Sequence, residues 1–167
     1  MIAGTKIENS TSSLEAEMQV SESENKTLVQ WLVEELFNRK RPEVIEFLYA
    51  SGCCGSTPDG AFGNRNEFLL GFAQYAKAFP DSRMEIDYLV ADGDRVIVHY
   101  TFEGTNTGAW AGLLPTNRLL RIAGVMITRI TNSRIVQQDF LWDALEARRQ
   151  FLAAPLPALD YLLLPAA

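Results

Sequence analysis

From Met84 onward the chain carries the pattern that most limits its fold: apolar and polar residues alternate through four successive stretches, each closed by turn residues. Alternation of period two marks a half-buried strand, because successive side chains leave opposite faces of a sheet. Met84, Ile86, Tyr88 and Val90 form the first apolar row, and Asp92-Gly93-Asp94 supplies a hairpin turn. The second strand runs from Arg95 to about Glu103, with Val96, Val98, Tyr100 and Phe102 on one face and Ile97, His99, Thr101 and Glu103 on the other. Gly104 to Pro115 is a glycine-rich crossing with Trp110 in its middle. A long strand from about Arg118 to Ile130 follows, and Thr131-Asn132-Ser133 turns it into a last strand ending near Trp142. Strands in this order predict an antiparallel sheet with an apolar face to be covered.

The cover lies ahead of the strands. Val29, Leu32, Val33, Leu36 and Phe37 recur at helical spacing, predicting an amphipathic helix from about Asn25. The basic Asn38-Arg39-Lys40-Arg41 run closes it, where cations suit the negative end of the helix dipole. Pro42 opens a short second helix that turns Val44, Phe47 and Leu48 inward. Ser51 to Gly63, broken by Gly52, Gly55, Pro58 and Gly60, reads as a loop, and Asp59 within it as turn chemistry. Asn64 with Glu67 forms a capping box for a third helix, whose Phe68, Phe72, Tyr75 and Phe79 share one face before Pro80. Asp143 with Glu146 starts a C-terminal helix through about Phe151. The fold class is α+β, with helices segregated from the sheet.

With 167 residues and 47% apolar content, one domain with a proper core is expected. Residues 1–23, rich in Ser, Thr and Glu, read as a mobile polar arm, 24–153 as the domain, and 154–167 as an apolar tail. A net charge of −6 without any basic block argues against nucleic acid, whose phosphates demand clustered Lys and Arg. No apolar run approaches the roughly 20 residues needed to span a bilayer, and the N-terminus has no signal pattern. Cys53 and Cys54 are adjacent, so neither a disulfide nor a zinc site follows, and a reducing cytoplasm fits. One histidine and scattered acids supply no metal site.

Three ordered segments resemble the SnoaL-like polyketide cyclase family. They are Ala78-Phe79-Pro80-Asp81, then Gly104-Thr105-Asn106-Thr107-Gly108 with Gly112-Leu113-Leu114-Pro115-Thr116-Asn117-Arg118, and finally Thr128-Arg129-Ile130, Arg134-Ile135-Val136 and Trp142-Asp143-Ala144-Leu145. The resemblance spans about Asn25 to Leu152. It implies a cystatin-like half-barrel, shared with ketosteroid isomerase and nuclear transport factor 2, in which helices close a curved antiparallel sheet over an apolar pocket. It further implies intramolecular aldol closure of an apolar polyketide-like substrate without metal or organic cofactor, with an acid on the last strand and a histidine on the strand before it.

Carried over by position, the family histidine falls on Met126 and the family acid on Phe140, neither of which can move a proton. Asp139 stands beside Phe140, and in a strand one residue of register turns a side chain to the other face. A β-bulge would bring Asp139 into the pocket as a general acid or base; without one it is a surface or subunit-interface carboxylate. His99 is a second proton carrier or a hydrogen-bonded structural residue. Trp110, Met126, Phe140, Gln138, Tyr75 and Ser56 complete the expected substrate-binding set, with Trp110 either a lid or plain packing. Asp143 reads as a helix cap.

The leading expectation is an acid/base cyclase or isomerase. A non-catalytic binding or accessory module of the same fold competes with it, and an epoxide or ester hydrolase is a third reading. The mixed face carrying Ile97, His99 and Thr101 leads to the expectation of a homodimer.

Overall fold

The computed structural model describes residues 21–152, so the tail and all but the last three residues of the polar arm lie outside the described residues. Residues 21–23 are already helical, and the chain runs as α1 through residues 21–38, its last segment, Val33–Asn38, wound as a π-helix. The start of α1 is tied to the far hairpin: Gly93 donates its backbone N–H to Glu22 Oε1 at 2.8 Å, and Asn25 donates to the Gly93 carbonyl. Its apolar stripe is buried as the spacing predicts, with Val29, Leu32 and Leu36 fully enclosed. The basic run that follows is paired within the fold. Arg39 pairs with Glu34 and Glu35, Arg41 pairs with Glu35 at 2.8 Å, and Lys40 donates to the Phe37 and Ser82 carbonyls. Burial among these groups pushes the Lys40 ammonium pKa down to about 8, with Asp81 pulling it back up.

α2 (Val44–Leu48) buries Val44 and Ile45, whereas Phe47, expected inward, is 68% exposed. The chain then forms β1 (Tyr49–Thr57) and β2 (Gly60–Phe62), where the sequence reads as loop, before α3 (Arg65–Ala78). β3 (Arg83–Asp92), β4 (Arg95–Thr105), β5 (Leu119–Thr131) and β6 (Arg134–Trp142) follow, and α4 (Ala144–Leu152) ends the described chain. The predicted caps hold. Asn64 Oδ1 accepts from the backbone N–H of Asn66 and Glu67, Glu67 reaches back to the Gly63 N–H, and Asp143 Oδ1 accepts from the Glu146 N–H at 2.8 Å.

The sheet has six strands in the order β2-β1-β6-β5-β4-β3. β3 through β6 are the antiparallel meander that alternation predicts, while β1 pairs parallel to β6. The sheet is curved and unclosed, and α1 and α3 pack over its concave face around one aromatic core. Gly55 makes the parallel seam possible: a Cβ there would collide with the Gln138 carbonyl and lie 2.7 Å from the Phe62 ring.

Two β-bulges reset which residues face that core. In β3 the extra residue is Asp87, between the pairs Ile86–Tyr100 and Tyr88–His99. Met84 and Ile86 therefore point inward, but Tyr88 and Val90, expected beside them, turn outward, Tyr88 being 59% exposed. In β6 the extra residue is Val136, between the pairs Ile130–Ile135 and Arg129–Gln137. It makes Gln138 and Phe140 follow Ile135 into the interior and sends Asp139 the other way.

Candidate functional site

Between the helices and the concave sheet face lies a cavity of about 380 Å³, of a size to take a small organic molecule. α1 contributes Phe37; α3 contributes Phe68, Phe72 and Tyr75; the sheet contributes Met84, Tyr100, Phe102, Leu120, Ile122, Phe140 and Trp142. The rings meet edge-on or stacked at 5.8 Å for Phe37–Phe140 and 6.4 Å for Phe68–Phe140. The aromatic stripe of α3 is thus both core and cavity wall. The exposed residues of the cavity lining, Asp59, Gly60, Ala61, Glu67, Gly71 and Gln74, mark the mouth. Gly71 sits in the middle of a helix, where glycine costs about 1 kcal/mol against alanine, and a Cβ there would meet nothing within 4 Å.

Trp110 is held at the rim by a tight turn. Its backbone exchanges hydrogen bonds with Leu113 at 3.0 and 2.8 Å across Ala111 and Gly112, both at positive φ. Its indole packs against Phe79, Phe151 and Trp142 while lining the cavity, so packing and lining are one role. Behind this rim Asn106 is buried and stitches the glycine-rich crossing, accepting from Thr116 and donating to the Gly108 carbonyl.

Of the residues expected at the site, Trp110, Phe140 and Tyr75 line the cavity. Met126 and Gln138 are fully buried but lie outside the lining. Gln138 anchors a closed polar network: Tyr49 donates to its Oε1 at 2.5 Å, and its Nε2 donates to Thr128 Oγ1 at 3.1 Å. That network satisfies polar groups in the core and offers nothing to a ligand. Burial pushes the Tyr49 phenol well above its ordinary range.

Asp139, His99 and Ser56 are on the opposite face of the sheet, and the bulge at Val136 is the reason for Asp139. Both carboxylate oxygens of Asp139 are occupied, one by the Ser56 hydroxyl and one by the Gln137 amide, each at 2.7 Å, so it clamps β1 to β6. His99 Nδ1 lies 2.7 Å from Asp87 Oδ2, Thr101 donates to the same carboxylate, and the Tyr88 ring stacks on the imidazole at 5.0 Å. The bulge at Asp87 builds this outer cluster, which is remote from the cavity lining.

Sequence reasoning overlooked other polar groups of the cavity. Tyr100 lies on the inner row of β4, and Asp59 lies at the tip of the β1–β2 hairpin. Asp59 is exposed as a residue, yet partial burial against the wall raises its carboxyl pKa, with Arg148 pulling it down. Burial also holds Tyr75 up at about 12 and drives Tyr100 higher still, so both phenols stay protonated at neutral pH. Among the described residues no group of three or more His, Cys, Asp or Glu could hold a metal ion. Nor is any described helix long and apolar enough to cross a membrane.

A half-barrel closed by helices over an aromatic cavity is a small-molecule pocket fold. The sequence profile of the SnoaL-like polyketide cyclases matches residues 27–151, and the chain belongs to that family. Among solved structures, a candidate SnoaL-like polyketide cyclase from Jannaschia sp. CCS1 superposes with a TM-score of 0.75 at 18% identity, covering 80% of this chain and 95% of that one. IdmH, a candidate polyketide cyclase from Streptomyces antibioticus, gives 0.65 at 23% identity, over 75% of this chain and 96% of its own. AclR, a candidate hydroxylase from Streptomyces galilaeus, gives 0.68 at 21% identity, over 80% of this chain and 98% of its own. These likenesses concern the fold. No curated protein sequence matches the chain.

Proposed function

We propose that this protein is a small cofactor-independent enzyme of the cyclase or isomerase class, working in the cytoplasm on an apolar, polyketide-like carbonyl compound. The observation that carries the reading is the cavity itself: aromatic walls around about 380 Å³, with a few polar groups among them. Family membership supports the reaction class, and two free cysteines, one buried and one exposed, suit a reducing compartment. Met126 and Phe140 at the family's proton-carrying positions, with Asp139 outside the cavity, favour a second reading as a non-catalytic binding protein.

Both readings require binding, which Prodan tests directly: it is a naphthyl ethyl ketone whose emission reports polarity and hydrogen bonding at its carbonyl. The native protein should shift and enhance that emission. Gly71→Trp should weaken binding at least tenfold by filling the mouth, without lowering the thermal midpoint, because any residue but proline replaces glycine favourably in that helix. Binding by Gly71→Trp equal to the native protein's would place the ligand elsewhere.

A homodimer is the assembly that goes with this reading. The outer sheet face exposes Val90, Ile97 and Leu141 beside the half-buried Val125 and Ile127, and the buried Nε of Arg129 has no hydrogen-bond partner there. A second copy related by a twofold axis presents the same apolar row, which makes the patch self-complementary. Light scattering at micromolar concentration should give a dimer, and Ile97→Glu with Leu141→Glu should weaken it by at least about 100-fold. A native monomer would overturn this part of the proposal.

A further inference from the structure

The cavity holds two proton-handling groups that the rest of the fold leaves uncommitted. Glu67 lines the mouth, but its oxygens serve the cap of α3, accepting from the Gly63 N–H at 2.6 Å and the Asn64 amide at 2.7 Å. Tyr75 is also spoken for. Ser82 donates its one hydroxyl proton to the Phe79 carbonyl, so the 2.8 Å contact between Tyr75 and Ser82 uses the phenol's proton. Thr57 donates to the Gly60 carbonyl.

Asp59 and Tyr100 differ. Among the described residues Asp59 is the one cavity-lining carboxylate with neither oxygen hydrogen-bonded, and Tyr100 makes no hydrogen bond through its hydroxyl. Each is placed by specific backbone chemistry. The Thr57–Gly60 pair closes a two-residue hairpin tip of Pro58 and Asp59, and Thr57 Oγ1 accepts from the Asp59 N–H at 3.1 Å. Phe62, on the returning strand, seats the hairpin against Phe68 at 5.0 Å. In the wall formed by β4 and β5 the Tyr100 ring lies over Gly124, where a methyl group would collide with it. That glycine gives the phenol its place in the wall.

We propose that Asp59 is the proton acceptor of this pocket and that Tyr100 is the hydrogen-bond donor to the substrate carbonyl oxygen. The inference rests on the pocket-enzyme reading and names the residues that carry it in place of the family pair. The substrate is an apolar ketone or thioester with an ionisable C–H next to the carbonyl. The Asp59 carboxylate takes the α-proton, the C–H electron pair becomes the enolate double bond, and the carbonyl pair moves onto the oxygen held by Tyr100. The enolate carbon then attacks a second carbonyl of the same molecule, whose oxygen takes the proton from Asp59; where the substrate instead carries a C=C β,γ to the carbonyl, the dienolate takes that proton back at its γ-carbon and the double bond moves into conjugation. Nothing is oxidised or reduced, and no co-reactant is needed. Asp59 at the mouth and Tyr100 in the inner wall act from different sides, as base and oxyanion donor must.

Prodan tests the assignment without knowledge of the natural substrate, because its propionyl methylene exchanges hydrogen for deuterium only through an enolate. In D₂O the native protein should accelerate that exchange, followed by mass spectrometry. Asp59→Asn should lower the acceleration by about 100-fold or more while leaving the fluorescence titration unchanged. Tyr100→Phe should keep binding, lose the emission shift due to carbonyl hydrogen bonding, and slow exchange roughly tenfold to a hundredfold. Asp139→Asn, on the outer face, should exchange at the native rate. Binding without exchange by the native protein, or native exchange by Asp59→Asn, would overturn the assignment while sparing the pocket. Absence of Prodan binding altogether would overturn the pocket reading and the assignment with it.

Discussion

Gly55→Val is expected to destabilise the protein by at least about 3 kcal/mol, lowering the thermal midpoint by roughly 6–12 °C for a chain of this size. A side chain at that position would meet the backbone carbonyl of Gln138, which belongs to the neighbouring strand and cannot rotate away. The collision would push β1 off β6, opening the seam through which the Ser56–Asp139 bond crosses and shifting Phe62 from the cavity wall. Gly52 supplies the control: a Cβ there meets nothing, so Gly52→Ala should change stability by less than about 1 kcal/mol. Urea denaturation of both variants decides the matter. A loss below about 1 kcal/mol at Gly55 would mean that the parallel seam carries little of the fold's stability.

That seam also shows what the sequence conceals. Between Tyr49 and Thr57, β1 consists of Ala, Ser, Gly and Cys, without the alternating β-branched and aromatic residues that mark a strand, and it forms because β6 offers a ladder from far along the chain. Nothing local announces such pairing, so most of Tyr49–Thr57 reads as loop. The meander from β3 to β6 is legible because its side chains alternate against one core, and the caps at Asn64 and Asp143 are legible because they are local chemistry. The bulges are a different case. One inserted residue at Asp87 and one at Val136 reverse the facing of everything beyond them, and alternation carries no sign of either.

The site inherits those limits. Of the expected substrate-binding set, Phe140, Tyr75 and Trp110 line the cavity, whereas Met126, Gln138 and Ser56 do not. The direction of Asp139 turns on a bulge, and the bulge that exists sends it outward to Ser56 and Gln137. Asp59 reads as turn chemistry, and it is at a turn; its nearness to the cavity follows from β2 folding back over α3, which a single sequence does not reveal.

Phe140→Asp should show how strongly the cavity can perturb an acid placed where the family keeps one. Phe140 is 7% exposed and ringed by Phe37 and Phe68, so its replacement removes about 3–5 kcal/mol of packing at any pH. The introduced carboxyl adds a part that titrates. Desolvation raises its folded-state pKa to roughly 6–7, while in the unfolded chain it stays near the ordinary value of about 3.9. Between those two values the unfolded state has already lost the proton that the folded state keeps, so stability falls as pH rises across that window. Below about pH 3 both states are neutral and this part vanishes. Phe140→Asn has nearly the same shape and no titration. The Asp variant should match it near pH 3 and be less stable by roughly 3–4 kcal/mol at pH 8, because each tenfold change in acidity is worth about 1.4 kcal/mol. Equal stability of the two variants across that range would mean that water reaches position 140 freely, and the cavity could then neither exclude solvent nor perturb an acid as an acid/base enzyme requires.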